Sequence, residues 1–462
     1  MSAEVTSGKG PEGIDTGAIL KARELELLAP ARDLACGLAA ITCGADAGYI
    51  GAGAFGARAG AANPLEDIRR LTEAAHLYRV RVYAAVNTLL TDAELEAALK
   101  LIDELYRAGV DALIVQDMGL LECPLPPLPL IASTQCHCES AAKVKFLEGV
   151  GFKRVILARE LGLEEIRSIA SQTSVELECF VHGALCVSYS GQCYMSLSRG
   201  GRSGNRGVCA QPCRERYRLL DEAGRERVGL SHLLSLKDLN LLESLDALVD
   251  AGIRSFKIEG RLKDAVYVRN SVGAYRRRLD EIIASRGLAP SSSGTATLDF
   301  EPDLAKSFQR GHTTYFLLGK DPEMDCRQSP KSRGEFVGEV VKLCADHFVL
   351  DRETSLISGD GICHSEEGGV LYGSFVNRSE GALIWPQKMA GLTLGTQVYR
   401  NFDKSFTDRI MSARSRRRIR VQMSLDVGDD EVSLHLRDED GVTASLRLRA
   451  PCEKARDRSS LL

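Results

Sequence analysis

A chain of 462 residues is too long for one ordinary core and divides into about two to four units, fewer if one is a barrel. With 44% apolar and 26% charged residues it is neither disordered nor fibrous, and 59 basic against 63 acidic side chains, a net charge of −4, give no overall attraction to nucleic acid or membrane. Fourteen cysteines are the unusual feature. The first residues are polar, without the apolar stretch of a signal peptide, and no window holds the ~18 apolar residues of a spanning helix. A cytoplasmic location without membrane contact is therefore expected, and thiols kept reduced there point to metal binding or catalysis before a disulfide framework.

From about residue 22 to 284, short β-branched runs alternate with segments of helical period, which predicts an α/β fold of βα units. Eight runs are expected as strands: 25–30, 45–52, 80–87, 110–116, 128–133, 152–158, 175–181 and 253–258. Between the third and fourth, Leu95, Leu99, Ile102 and Leu105 recur at spacings of three and four, the stripe of a helix packed on one side. Eight strands with intervening crossovers fit a (β/α)8 TIM-like barrel. The runs end in polar residues, among them Asn87, Gln116, Gln135, Arg159, His182, Lys257, Glu259 and Arg261. In a barrel these positions form the rim where active sites are built.

The link between the seventh and eighth runs is about seventy residues long, far more than a crossover needs, and its first part, 183–218, is read as a cysteine-rich insertion. Its second part is expected to be a helix capped by Ser235 and Asp238, with Leu239, Leu242, Leu245 and Leu248 as its stripe. A serine-rich flexible linker is expected at 285–296, then a small β-barrel over 297–410. Residues 411–462 read as a β meander, expected to be a truncated third domain, with turn signals at Gly428-Asp429 and Asp440-Gly441.

Cys186, Cys193, Cys209 and Cys213 crowd into one polar, glycine-rich stretch. Four thiolates can close a tetrahedral metal site or hold an iron–sulfur cluster, and the unequal gaps suit a cluster better than the tight knuckles of structural zinc. Arg199, Arg202, Arg206, Arg214, Arg216 and Arg218 accompany them against a single acid, Glu215, a concentration of charge able to hold phosphates or an anionic small molecule. A second basic run, Arg414 to Arg420, could continue that track. There is no H-E-x-x-H, G-x-S-x-G or P-loop. Gly51 to Gly56 is read as a turn bringing backbone close to a ligand. His182, four residues before Cys186, could activate that thiol as a nucleophile, which excludes the cluster reading for the same cysteine. Cys136-His137-Cys138 lies near the rim as a candidate pocket element, and the remaining cysteines are expected to be ordinary packing or surface thiols.

Glu178-Cys-Phe-Val-His-Gly-Ala-Leu-Cys186, followed by Ser190-Gly-Gln-Cys193 and Ser196, resembles the signature of the peptidase U32 family, the collagenase-like peptidases. The stretches 45–59, Asn87-Thr-Leu, Ser133-Thr-Gln, 204–213, Ser235-Leu-Lys-Asp-Leu and Phe256-Lys-Ile-Glu-Gly-Arg261 are similar to that family in the same order, and the likeness spans roughly residues 25–410. Arg310-Gly-His-Thr-Thr and 329–334 look like the branch that hydroxylates a ribosomal RNA cytidine. The resemblance implies a 4Fe-4S cluster on cysteines of this region, ribosomal or transfer RNA as partner, and prephenate as a co-substrate. Many relatives carry a cysteine after Lys-Asp-Leu, where this chain has Asn240, and Cys213 is the nearest replacement.

The leading expectation is thus an iron–sulfur RNA base hydroxylase served by an electron donor. Cys186, Cys193, Cys209 and Cys213 would bind the cluster; His182, Lys257, Glu259 and Arg261 would act as catalytic residues; Asn87, Gln135, Arg199, Arg202 and Arg206 would bind substrate. The alternatives are a collagenase-like protease (hydrolase) with Cys186 as nucleophile and His182 as base, and a non-catalytic RNA-binding or assembly factor with a structural metal.

Overall fold

A computed structural model describes residues 4–7, 19–57, 62–260, 262–365 and 371–449. Eight strands form its centre: β1 (Glu24–Ala31), β2 (Ala47–Ala52), β3 (Arg81–Val86), β4 (Ala112–Val115), β5 (Leu130–Ala132), β6 (Arg154–Ile156), β7 (Glu176–Ala184) and β8 (Ser255–Ile258). Each pairs in parallel with the next, and β8 closes the ring by pairing with both β7 and β1. The expected TIM-like barrel is therefore present. Helices fill most crossovers; Asp92–Arg107, for example, starts at a Thr91–Glu94 capping box and buries Ala98, Ile102 and Leu105. The β4–β5 crossover has only the short 3-10 turn Met118–Glu122, because Pro124, Pro126, Pro127 and Pro129 remove the donors a helix needs.

The lower barrel is filled by charge as well as by aliphatic side chains. Arg154, wholly buried, donates to Glu26 at 2.5 Å, Glu178 at 3.1 Å and Glu176 at 3.2 Å. Tyr83 and Ser255 also donate to Glu26, and Lys257 reaches Glu178 at 3.0 Å. Burial alone would raise the Glu26 carboxyl, but the charge and hydrogen bonds of Arg154 outweigh it and hold the group below its ordinary value.

Two local expectations fail. Ser235 and Asp238 cap no helix: Asp238–Asn240 is a strand, antiparallel to β7, and the helix is confined to Leu245–Asp250. Tertiary partners claim both side chains, Arg214 for the Ser235 hydroxyl and Arg310 for the Asp238 carboxylate. The stretch read as a flexible linker is packed. The helix Ala265–Arg286 runs into it, Ala289–Pro290 pairs with β1, and Ser291, Ser292 and Ser293 are buried, with the Ser292 hydroxyl donating to Asp46. Of the basic run after it, Arg417 is structural and lies away from the arginine track, while Arg416 and Arg418 are exposed. Arg417 is buried, donating to Ser293 O, Ala45 O and Ile41 O at the N-terminal end of the barrel, opposite the rim.

Beyond lies a second, antiparallel barrel of six strands: β9 (Glu335–Leu343), β10 (Phe348–Leu350), β11 (Gly361–Ser365), β12 (Leu371–Glu380), β13 (Leu383–Pro386) and β14 (Gln397–Phe402), closed in the order β9-β10-β13-β12-β11-β14. Val340, Phe348, Ile362, Val376, Ile384 and Val398 form its core. The meander is β15 (Val421–Val427), β16 (Glu431–Asp438) and β17 (Thr443–Arg449), joined by a fourth strand, Glu4–Ser7, which the sequence did not suggest. Along β15 the apolar residues Val421, Met423, Leu425 and Val427 alternate onto one exposed side.

Candidate active site

At the C-terminal ends of the barrel strands lies a cavity of about 420 Å³. Tyr49 of β2, Ile156 of β6, Phe180 of β7 and Lys257 of β8 line it from below, and the insertion after β7 folds over it. All four cysteines of that insertion, Cys186, Cys193, Cys209 and Cys213, line this one cavity. Burial raises the Cys213 thiol, Arg214 beside it works the other way, and the thiols of Cys186, Cys209 and Cys193 push it up further, so the four sense one another. Among the described residues no three His, Cys, Asp or Glu side chains stand close enough together to hold a single metal ion.

The insertion is clamped to the barrel. Glu160 accepts from the backbone and hydroxyl of Ser190 at 2.8 and 3.0 Å. Arg214 donates to Ser235 Oγ, Leu236 O and Leu185 O at 2.6–2.9 Å. Arg206 donates to Leu89 O and pairs with Glu94, tying the insertion to the loop after β3. A Cβ on Gly191 would stand 2.1 Å from Gln135 O, so only glycine allows that approach, and its φ of +72° also favours glycine.

Of the other predicted site residues, Asn87, Gln135, Arg202, Lys257 and Glu259 line the cavity. Asn87 accepts from Ala57 N and donates to Ser133 Oγ, both at 2.9 Å, which ties the end of the turn after β2 to the rim. Lys257 Nζ sits 4.4 Å from the centre of the Tyr49 ring. Glu259 pairs with Arg159 at 3.1 Å, and that guanidinium lies over Phe180 at 3.9 Å.

His182, Arg199 and Arg206 do not line it. The pairing of β7 with β8 slips between Lys257 and Ile258, so that Phe180 stays at the cavity while His182 turns behind the wall. There it is 4% exposed and packs on Tyr267, Tyr275 and His312; burial first, with the charges of His312 and Lys263, pushes it down to about 3. Arg199 is held outside by Glu215 and Tyr217, because it faces out from the short helix Met195–Gly200. Asn240 also stands behind the wall, bonded to Tyr275 and His312, whereas Cys213 is at the cavity. Cys136 and Cys138 are core thiols rather than pocket elements, burial pushing Cys136 up to about 11. Arg261 and Cys452 lie outside the described residues.

Sequence reasoning placed neither Arg310 nor Arg214 in the cavity wall, and both are there. Arg310 comes from beyond the barrel and is oriented by Asp238 at 3.0 Å. The cavity wall therefore holds Arg159, Arg202, Arg214, Lys257 and Arg310 with Glu160 and Glu259, while Glu178 and Asp238 behind it pair with Lys257 and Arg310.

The fold and site define a class: a TIM-like barrel protein with a thiol-lined cavity at its C-terminal rim under a clamped insertion. The profile of peptidase family U32 matches residues 32–326, and the chain belongs to that family. It is 44% identical over 445 residues, 94% of this chain and 68% of the relative, to the 23S rRNA 5-hydroxycytidine C2501 synthase of Escherichia coli. It is 36% identical to an uncharacterized protease of Methanocaldococcus jannaschii over 64% of this chain and 73% of that one. To tRNA hydroxylation protein P1 of Bacillus subtilis it is 33% identical, over 70% and 78% of the two chains. No described helix is long and apolar enough to cross a membrane.

Proposed function

We propose that this protein is an iron–sulfur-dependent enzyme that hydroxylates a pyrimidine base in RNA, a cytidine of 23S ribosomal RNA being the favoured target. The observation that carries the reading is the 44% identity to the ribosomal RNA synthase over nearly the whole chain. The cavity supports it. Four cysteine thiols line this one cavity, and four thiolates, one per iron, are the ligand type and number that a 4Fe-4S cluster takes. Cys186, Cys193, Cys209 and Cys213 would hold it, with Asn240 excluded by its place behind the wall. When bound, such a group supplies one-electron chemistry to the cavity, drawing on a donor protein or small molecule.

The chain's own residues bind and orient. Lys257, fixed between Glu178 and the Tyr49 ring, presents a cation at the cavity floor, and Arg159 is braced by Glu259. Together with Arg202 and Arg310 they suit a dicarboxylate such as prephenate. The protease reading with a Cys186–His182 dyad is not favoured, since His182 is turned away from the cavity that Cys186 lines. The test is mass spectrometry of ribosomal and transfer RNA from a strain lacking the gene. One hydroxylated base should disappear and return with the intact gene. An unchanged modification profile refutes the proposal.

A further inference from the structure

Tyr189 and Tyr194 are 65% and 60% exposed, which is unusual for two aromatic rings on a segment held as firmly as this one. Ser190 between them is fixed by Glu160, Gly191 is pressed against Gln135 O, and Gln192 N donates to Tyr189 O at 3.0 Å. Tyr189 itself lines the mouth of the cavity, and His137 meets its ring in a T-shaped contact at 5.7 Å. Tyr189 is thus held out into water at the opening, and Tyr194 is exposed beside the cavity-lining Cys193. In the same insertion Arg202 lines the cavity, while Arg199, Arg206 and Arg218 are paired with Glu215, Glu94 and Glu226.

Ring faces held in water beside guanidinium groups are what an unpaired nucleotide strand requires: bases stack on the rings, in any sequence, and phosphates meet the cations. The insertion also exposes Val187, Leu197 and Val208, so a protein partner, which would use a contiguous apolar patch, is the competing occupant that the RNA-binding test decides against. We infer that Tyr189 and Tyr194 form a stacking ledge for the bases of single-stranded RNA that flank the one entering the cavity. This inference rests on the RNA-modifying reading above.

The test uses the full chain and a fluorescein-labelled single-stranded RNA oligonucleotide, with binding followed by anisotropy at several salt concentrations. Tyr189→Ala and Tyr194→Ala should each weaken binding by about five- to a hundredfold, while Tyr189→Phe and Tyr194→Phe, which keep the ring, should stay within about twofold. The salt dependence should be unchanged in the alanine variants and become shallower in Arg202→Ala, which removes a phosphate contact. Alanine variants that bind like wild type, or phenylalanine variants as weak as alanine, overturn the ledge. In the deletion strain, a Tyr189→Ala/Tyr194→Ala gene that restores hydroxylation as fully as wild type overturns the ledge and leaves the RNA-modifying reading intact. Failure of the wild-type gene to restore any hydroxylation overturns the reading itself, and the anisotropy series still judges the ledge.

Discussion

Replacing Arg154 with methionine tests whether the charges inside the barrel are held by one another. The guanidinium is fully buried and donates to Glu26, Glu176, Glu178 and Ser255. Methionine fills much of the same space but leaves Glu26 with Arg81, 3.7 Å away, as its cation beside the Tyr83 and Ser255 hydroxyls, and Glu178 with Lys257 beside Ser255. Breaking a buried ion pair from one side costs about 3–5 kcal/mol, about a fifth or more of the ~5–15 kcal/mol that holds a typical domain. Urea denaturation followed by far-UV circular dichroism should show that loss. The single tryptophan, Trp385, sits on β13 of the second barrel, so its fluorescence reports there and should change less. The pH dependence sharpens the test. In wild type the Glu26 pKa is depressed, so its stabilisation is present above the unfolded value of ~4.3 and is lost as pH falls through the folded one. Without Arg154, burial is left to dominate and raises the pKa; the native variant then binds more protons than its unfolded chain, and lowering the pH stabilises it. The gap between Arg154→Met and wild type should therefore narrow from pH 7.5 to pH 5.5. A loss under about 1 kcal/mol, or a gap that does not depend on pH, would refute this account.

Two other substitutions bear on the site. Serine at Cys186, Cys193, Cys209 or Cys213 should each lower iron content and the visible absorption of anaerobically reconstituted protein, whereas alanine at the buried Cys179 should leave both near wild type; equal loss in both sets would count against the ligand assignment. His182, pushed down to about 3, stays neutral in the fold while the unfolded chain takes up a proton below ~6.5, so stability falls as pH drops from that value. His182→Asn removes this penalty, and urea midpoints at pH 7 and pH 5 should move less in the variant than in wild type; a parallel shift in both would contradict the burial argued for His182.

The barrel was legible because its strands are continuous apolar runs, as parallel strands buried on both faces must be. The cysteines were legible because polar, glycine-rich sequence around them excluded a place in the core. What stayed hidden depends on partners distant in sequence. Asp238 reads as a helix cap until Arg310 is known to reach it, and the serines at 291–293 read as a flexible tether although Asp46 and Arg417 bury them. His182 reads as an inward neighbour of Phe180 until the slip against β8 turns it away. In the second barrel β12 is hard to read because Leu371–Glu380 mixes glycine with polar residues, which masks the alternation.

The pairing of Glu4 with Arg447 sets an order of events during synthesis. Each strand of the large barrel except the closing pair finds a neighbour soon after it is made, but the Glu4–Ser7 strand must wait until β17 has left the ribosome. Contacts so distant in the chain form late, after the loops between them have been closed. The meeting between the earliest and latest described segments therefore comes late in folding, and until it occurs β17 keeps an unpaired edge.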